Sequence, residues 1–336
     1  MYNIKYHNIN IKEKTFLVTG GAGFIGSNLV EYLVKWNAKK IRILDNFLTG
    51  HIHNVESFLD LDNVELIDGD IRDLSICNMA CKDVDYVLHQ AALGSVPRSI
   101  IDPQTTNDIN ITGFLNMLIA SRDNNIKRFV YAASSSTYGD SKKLPKIENE
   151  IGNPLSPYAI TKYVNELYAD IFNKSYDLEC VGLRYFNVFG QRQDPNGAYA
   201  AVIPLFIKQL IKLDSVQING DGFYSRDFTY IDNVVQINML AISSRIDNDI
   251  NQVYNTACGN QTNLTELALI LKSKLSFLDK KIENNKIIYG PFRDGDIPHS
   301  LASIEKAKKY LNYNPNYSFE EGIDEAIIWY YKNLKS

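Results

Sequence analysis

Tyr158 and Lys162 stand four apart in the stretch YAITK, and 24 residues before the tyrosine a row of hydroxyls begins, Ser134, Ser135, Ser136 and Thr137. On a helix, residues at i and i+4 share a face, so the ammonium can sit near the phenol and stabilise its anion. A free phenol near 10 must fall by roughly 3 units to act as a base at neutral pH, which is about 4 kcal/mol of differential stabilisation. A lysine acting with a second positive charge supplies that much. Alone, this spacing occurs on many helices by chance, and a cofactor signature elsewhere in the chain is what gives it chemical meaning.

That signature lies near the N-terminus. In VTGGAGFIG, Gly21, Gly23 and Gly26 fit G-x-G-x-x-G, and Gly20, Gly23 and Gly26 fit the G-x-x-G-x-x-G variant. The motif follows a strand-like run and opens a helical one. Glycines there allow a tight turn, close approach of a pyrophosphate to backbone N–H groups, and close packing of helix on strand. Asp45 ends the next strand-like run 19 residues beyond Gly26, where a carboxylate accepts hydrogen bonds from an adenosine ribose and repels a 2′-phosphate. The expected cofactor is NAD rather than NADP.

These groups need a scaffold, and the chain alternates the parts of one. TFLVTG, KIRILD, VELIDGD, VDYVLHQAA and IKRFVYAASS are near-continuous apolar runs, the pattern of strands buried on both faces of a parallel sheet. Between them, residues 24 to 37, 73 to 82, 102 to 123 and 157 to 175 have helical length and spacing, with Asp102 as a cap before Pro103 in a first turn. The alternation predicts an α/β fold, a Rossmann-type doubly wound parallel sheet. Beyond about residue 186 the regularity loosens, with helical patterns near 200 to 213, 231 to 245, 263 to 277 and 319 to 333. We expect an NAD-binding domain over 1–186, with an N-terminal extension 1–14. A smaller mixed α/β C-terminal substrate lobe follows over 187–336, from which QVYNTA at 252–257 returns to the main sheet.

Composition narrows the partners. The chain has 336 residues, 45% hydrophobic and 22% charged, with a formal net charge of -4. That charge, with no basic run or basic-aromatic interleaving, argues against nucleic acid. No stretch approaches the roughly 18 unbroken apolar residues of a membrane span, and the first residues lack the apolar core of a secretion signal; a cytoplasmic protein without a membrane partner is expected. The four cysteines are too few for a disulfide framework, and Cys77 and Cys81 have no companion ligands. His51 and His53 lack a third ligand nearby, so no metal is expected.

Taken together, TGGAGFIG, LDN at 44–46, GD at 69–70 before Ile71, HQAA at 89–92, SSSTYG, YAITK, LRYFNVFG and RDFTYIDNV resemble the extended short-chain dehydrogenase/reductases, specifically the nucleotide-sugar 4-epimerases, over nearly the whole chain. The resemblance implies a catalytic group of Ser134, Tyr158 and Lys162, with Ser135 and Ser136 facing the sugar. It places NAD against Gly20, Gly23, Phe24, Ile25, Gly26, Asp45, Asn46, Thr49, Gly50, Asp70, Ile71, Gln90, Ala91, Ala92, Tyr158, Lys162 and Tyr185, and has Asn110 order the lysine through water. Related 4,6-dehydratases and decarboxylases carry carboxylates within SSSTYG, where an extra acid and base are needed; this chain carries serines, which leaves reversible oxidation at C4. A non-catalytic NAD-binding scaffold would predict a broken Ser/Tyr/Lys set, and this one is intact.

For the substrate, the resemblance assigns the diphosphate to Asn187, Arg226 and Arg293, whose forks suit phosphate oxygens. It assigns a ribose hydroxyl to Asp296, and uracil to backbone near 200–202 and 217–219, including Val202 and Asn219. Gly94, Ser135, Gln193 and Ala201 would line a pocket for an N-acetylated sugar, and Ser300, small where relatives restricted to plain hexoses carry tyrosine, would admit a 2-acetamido group. The expected reaction is interconversion of UDP-GlcNAc and UDP-GalNAc. UDP-glucose/UDP-galactose or UDP-uronic acid epimerisation is the alternative, with Arg98 and Arg192 as candidate carboxylate partners. The resemblance also implies a homodimer through a four-helix bundle of helices 102–123 and 157–175, using Phe114, Leu115, Leu118, Leu167 and Ile171.

Overall fold

The computed structural model describes residues 1–195, 201–244, 252–292 and 297–335. The apolar runs become β1 (Thr15–Thr19), β2 (Lys40–Asp45), β3 (Val64–Asp68), β4 (Tyr86–His89) and β5 (Arg128–Ser134), with α1 (Phe24–Lys35) and α2 (Leu74–Cys81) between them. Every residue of β1 and β4 is buried, as strands covered on both faces must be.

Helix formation from 96 to 123 departs from the single helix expected over 102–123. The chain forms α3 (Val96–Ile101), α4 (Pro103–Asn107), a π-helical turn at Asp108–Gly113 and α5 (Phe114–Asp123). The break at Asp102 has a local cause: its carboxylate accepts from Thr105 N while Pro103 has no N–H to continue α3. The π turn has a tertiary one. Asn110 is drawn to the backbone of Leu93, accepting from its N–H at 2.7 Å and donating to its carbonyl at 3.1 Å, and widening the helix lets the side chain reach.

Next come α6 (Pro157–Tyr176), capped by Ser156, and β6 (Cys180–Tyr185), a strand not among the runs read from the sequence because polar Arg184 interrupts it. The remaining elements are β7 (Val188–Phe189), α7 (Val202–Ile211), β8 (Val216–Asn219), β9 (Ser225–Arg226), β10 (Thr229–Tyr230), α8 (Ile231–Ser243), β11 (Val253–Thr256), β12 (Thr262–Asn263), α9 (Leu264–Ser276), β13 (Ile287–Gly290), α10 (Glu305–Leu311) and α11 (Phe319–Leu334). The main sheet has seven strands in the order β11-β6-β5-β4-β1-β2-β3, with neighbours paired in parallel.

One face of the sheet is covered by α1 and α8, the other by α2, α5 and α6, and a separate apolar cluster joins α7, α9, α11 and β8. Strand order reverses between β1 and β4, so the loops leaving their C-terminal ends part and open a crevice. Residues 1–14 run over α1 and carry one short 3₁₀ turn, Ile11–Glu13. Tyr2 and Tyr6 are buried there, with Tyr6 donating to Asp232 of α8. Among the described residues no helix is long and apolar enough to cross a membrane, and no group of three or more His, Cys, Asp or Glu converges on a metal site.

Candidate active site

A cavity of about 410 Å³ occupies the crevice. Its first wall is the turn between β1 and α1. Gly20 has φ +63°, and a Cβ there would meet Ala91 N at 2.7 Å; a Cβ on Gly26 would meet the Gly20 carbonyl oxygen at 2.1 Å. Both positions therefore require glycine. No side chain caps the N-terminus of α1, and Gly23, Phe24, Ile25 and Gly26 face the cavity. A helix start left open to a cavity is a place for a diphosphate.

Asp45 closes the far end. Its carboxylate accepts from Ala22 N and Phe47 N, each at 2.9 Å; burial raises its pKa and these two backbone donors oppose the rise. Asn46 donates to Asp70, whose carboxyl is held down to about 2, first by Arg72. With Thr49, Gly50 and Ile71 these residues line this end of the cavity, and the donor and acceptor set fits NAD. Gln90, Ala91, Ala92, Leu93, Gly94 and Tyr185 continue the wall. The Tyr185 hydroxyl donates to Gln90 Oε1 at 3.1 Å and accepts from Asn238 Nδ2 at 2.9 Å.

At the other end Ser134, Tyr158 and Lys162 meet in the same cavity. The sheet ends β5 at Ser134, and the first turns of α6 carry the other two. Lys162 is buried and donates to the Ala132 carbonyl at 2.8 Å. Burial brings its pKa down to about 8, and Glu166 opposes that fall. Burial raises the Tyr158 phenol, while Ser134 lowers it. The chain's own groups thus leave the phenol high, and a further positive charge is needed to bring it to the working range. Ser136 does not reach into the cavity; its Oγ donates to Ser134 Oγ at 2.8 Å. The fourth hydroxyl is not a free strand end: Thr137 is fully buried and its Oγ1 lies 3.5 Å from Glu166 Oε1.

A second cavity of about 330 Å³ shares Asn187 and Val188 with the first and is lined by Gln193, Ala201, Val202, Asn219 and Arg226, together with Ser95, Val96 and Pro97. Ser300 lies at its edge, its N–H donating to Ser225 O at 3.1 Å beside Arg226. Ser135, Ser136 and Ser300 line neither cavity. Asn110 lies behind the wall, bonded to Leu93 and to Thr161 Oγ1. Arg293 and Asp296, and the centre of the 194–202 loop, lie outside the described residues.

Arg192 is the clear departure: it pairs with Glu31 and donates to Asn28 of α1, and it lines neither cavity. Lining residues that the sequence did not single out, among them Leu48, Leu93, Ile109, Ala132 and Ala133, are apolar, and such residues carry no signal. Asn238 is a polar residue missed for another reason: it reaches Tyr185 from α8, far along the chain.

A doubly wound sheet with an open glycine turn at its switch point, an acidic residue ending β2 and Ser134, Tyr158 and Lys162 at the cofactor's other end defines a dinucleotide-dependent enzyme of the short-chain dehydrogenase type. Residues 16–257 match the model of the NAD dependent epimerase/dehydratase family, and the chain belongs to that family. It is 38% identical over 322 residues, 95% of this chain and 99% of the other, to a putative UDP-glucose 4-epimerase of Methanocaldococcus jannaschii. Among solved structures, a UDP-N-acetylglucosamine 4-epimerase from Methanobrevibacter ruminantium, in complex with UDP-N-acetylmuramic acid, superposes with a TM-score of 0.89 at 39% identity, covering 96% of this chain and 99% of that one. A UDP-glucuronic acid 4-epimerase from Bacillus cereus, in complex with UDP-glucuronic acid and NAD, gives 0.83 at 30%, covering 95% and 99%.

Proposed function

We propose that the protein is an NAD-dependent UDP-sugar 4-epimerase that interconverts UDP-GlcNAc and UDP-GalNAc through a 4-keto sugar. The observation that carries the reading is the meeting of Ser134, Tyr158 and Lys162 in the first cavity, which shares Asn187 and Val188 with the second, with hydroxyls rather than carboxylates in the segment that follows β5. The family and the relatives support the UDP-sugar 4-epimerase class. Ser300 beside Arg226, and the likeness to the Methanobrevibacter enzyme, support the N-acetylated sugar. NAD, when bound, supplies a hydride acceptor and a positive charge beside Tyr158.

In this reading the chain's own residues hold and move one proton. Tyr158 as phenolate takes the proton of the C4 hydroxyl, with Ser134 in the same hydrogen-bond line, and returns it after the keto sugar presents its other face. Lys162 holds the phenolate, and Ala132 O holds Lys162. Arg226 and Asn187 take the diphosphate; the roles of Arg293 toward the diphosphate and Asp296 toward a ribose hydroxyl rest on the resemblance of FRDGD alone. The uridine lies toward Val202 and Asn219, in the second cavity. Arg98 is the one observation favouring a uronate: it sits on α3, just after Val96 and Pro97 of the second cavity, and its guanidinium lies 3.5 Å from Gly94 O.

The test compares kcat/KM for UDP-GlcNAc, UDP-glucose and UDP-glucuronate on the purified protein. We expect UDP-GlcNAc to be preferred by about tenfold or more. Preference for either other sugar overturns the assignment of the sugar, and turnover of none overturns the class.

Assembly as a homodimer through α5 and α6 belongs to the same proposal, with corrected contacts. Phe114 and Leu118 are buried within the chain's own core, whereas Ile160, Leu167 and Ile171 are 51%, 50% and 51% exposed on one helix. Such a contiguous apolar face marks an interface. We expect a dimer by light scattering at micromolar concentration, and a monomer when Leu167→Asp and Ile171→Asp are combined; a monomeric wild type removes the bundle.

A further inference from the structure

Helix α6 carries a third functional-looking position in the stripe of Tyr158 and Lys162. Glu166, one turn beyond the lysine, is buried and accepts a two-pronged bond from Arg184 of β6, Nε to Oε1 at 2.9 Å and Nη2 to Oε2 at 2.7 Å. The two side chains are 6% and 4% exposed. Arg184 also donates to the Glu148 carbonyl at 3.0 Å and lies 4.7 Å over the Tyr138 ring. Tyr138 in turn donates to Asn255 of β11 at 2.6 Å, and Thr137 reaches Glu166 itself.

A buried ion pair is weak support for stability, because desolvation cancels most of the attraction and apolar pairs of similar volume do as well. This pair has a placement that apolar residues would not reproduce. It touches both strands of the reaction's geometry: the turn 135–138 that follows Ser134, and the helix that carries Tyr158 and Lys162.

We propose that the Glu166–Arg184 fork, with Thr137, is a positioning unit for the reaction: it fixes the serine turn against α6 and sets a carboxylate one turn behind Lys162. The proposal rests on the epimerase reading above. The groups facing Lys162 are few. Tyr158 and Glu166 flank it on α6; His89 on β4 is held neutral by burial, with its pKa down to about 3; Ala132 O faces it from β5. Behind the fork, a cleft of about 300 Å³ presents Glu148, Asp170 and Lys306, with Tyr131 and Cys180; burial keeps the last two uncharged.

Burial already brings Lys162 down to about 8, and Glu166 acts against that fall. Replacing the carboxylate by an amide removes the opposing influence and leaves Arg184 positive, so Lys162 loses its proton at lower pH. The direction is fixed: the alkaline limb of the pH profile moves toward acid.

The experiment uses Glu166→Gln, Glu166→Asp and Thr137→Val in the NAD-loaded full chain. For Glu166→Gln we expect the alkaline limb of kcat to fall by about one pH unit. The ¹³Cε titration of Lys162, assigned against Lys162→Met, should move with it. KM for the UDP-sugar and bound NAD should stay within twofold of wild type, and Glu166→Asp should restore most of the profile. Thr137→Val should lower kcat a few-fold without moving the limb. A fall in kcat with both titrations unmoved would reduce the fork to structural support and overturn the proposal, as would an unchanged enzyme. The NMR titration reads Lys162 even if no UDP-sugar turns over, so failure of the epimerase reading is distinguishable from failure of this one. Should Glu166→Gln fail to fold, the test passes to Thr137→Val, where a few-fold lower kcat at unchanged KM, NAD content and alkaline limb supports the positioning unit and an unchanged kcat overturns it.

Discussion

Tyr158→Phe lowers kcat for 4-epimerisation by about 10²- to 10⁴-fold while NAD remains bound in wild-type amount. That loss is the usual contribution of a positioned general base. The ring still packs against the cavity wall, so the cavity lining at Gly20, Gly23, Asp45 and Gln90 is untouched; what disappears is the phenol oxygen that would accept the proton. Ser134→Ala is milder, because the phenolate remains and only a hydrogen-bond partner is removed. The check is single-turnover and steady-state kinetics together with the NAD content of the purified variant. Near-normal turnover would discard the assignment. His89 offers no ready substitute: it is buried, bonded to Thr19 Oγ1 at 2.8 Å, stacked on Phe129, and does not line the cavity.

Ser300→Tyr separates the sugars. Its backbone is tied to Ser225 beside Arg226, so a phenol there projects from a held position rather than from a free loop. Beside C2 it would overlap an acetamido group but spare a hydroxyl. Overpacking a formed site costs about 1 to 3 kcal/mol, roughly a 5- to 150-fold loss on UDP-GlcNAc with UDP-glucose unchanged or improved. The measurement is kcat/KM for both substrates in wild type and variant, since specificity is a difference between transition-state free energies. Equal losses on both would mean that Ser300 does not gate C2.

Much of the site was legible because its signals are local. The glycine turn is dictated by backbone that only glycine adopts at Gly20 and by a contact only glycine tolerates at Gly26. Tyr158 and Lys162 share a face because a helix repeats every 3.6 residues. The runs that became β1 to β5 are apolar because both sheet faces are covered. Each of these follows from a few neighbouring residues, and the sequence by itself determined the class of fold, the glycine turn at its switch point and the pairing of Tyr158 with Lys162 on one helix face.

Tertiary structure decided the rest, because partners distant in the chain leave no local trace. Arg192 read as a candidate for a sugar carboxylate, but Glu31 of α1 claims it across the crevice. Phe114 and Leu118 have the apolar character of an interface, yet α2 and the sheet bury them and leave Leu167 and Ile171 outside. Asn110 reaches Leu93 only because its helix widens into a π turn, and Asn238 reaches Tyr185 only because α8 folds back onto the sheet. Glu166 gives the sharpest case: in sequence it is one acidic residue on a helix, and it becomes part of the site's electrostatics only when β6 brings Arg184 against it and the serine turn sets Thr137 above it. A charge is an ordinary surface group until folding decides what stands opposite and how much water is left between them.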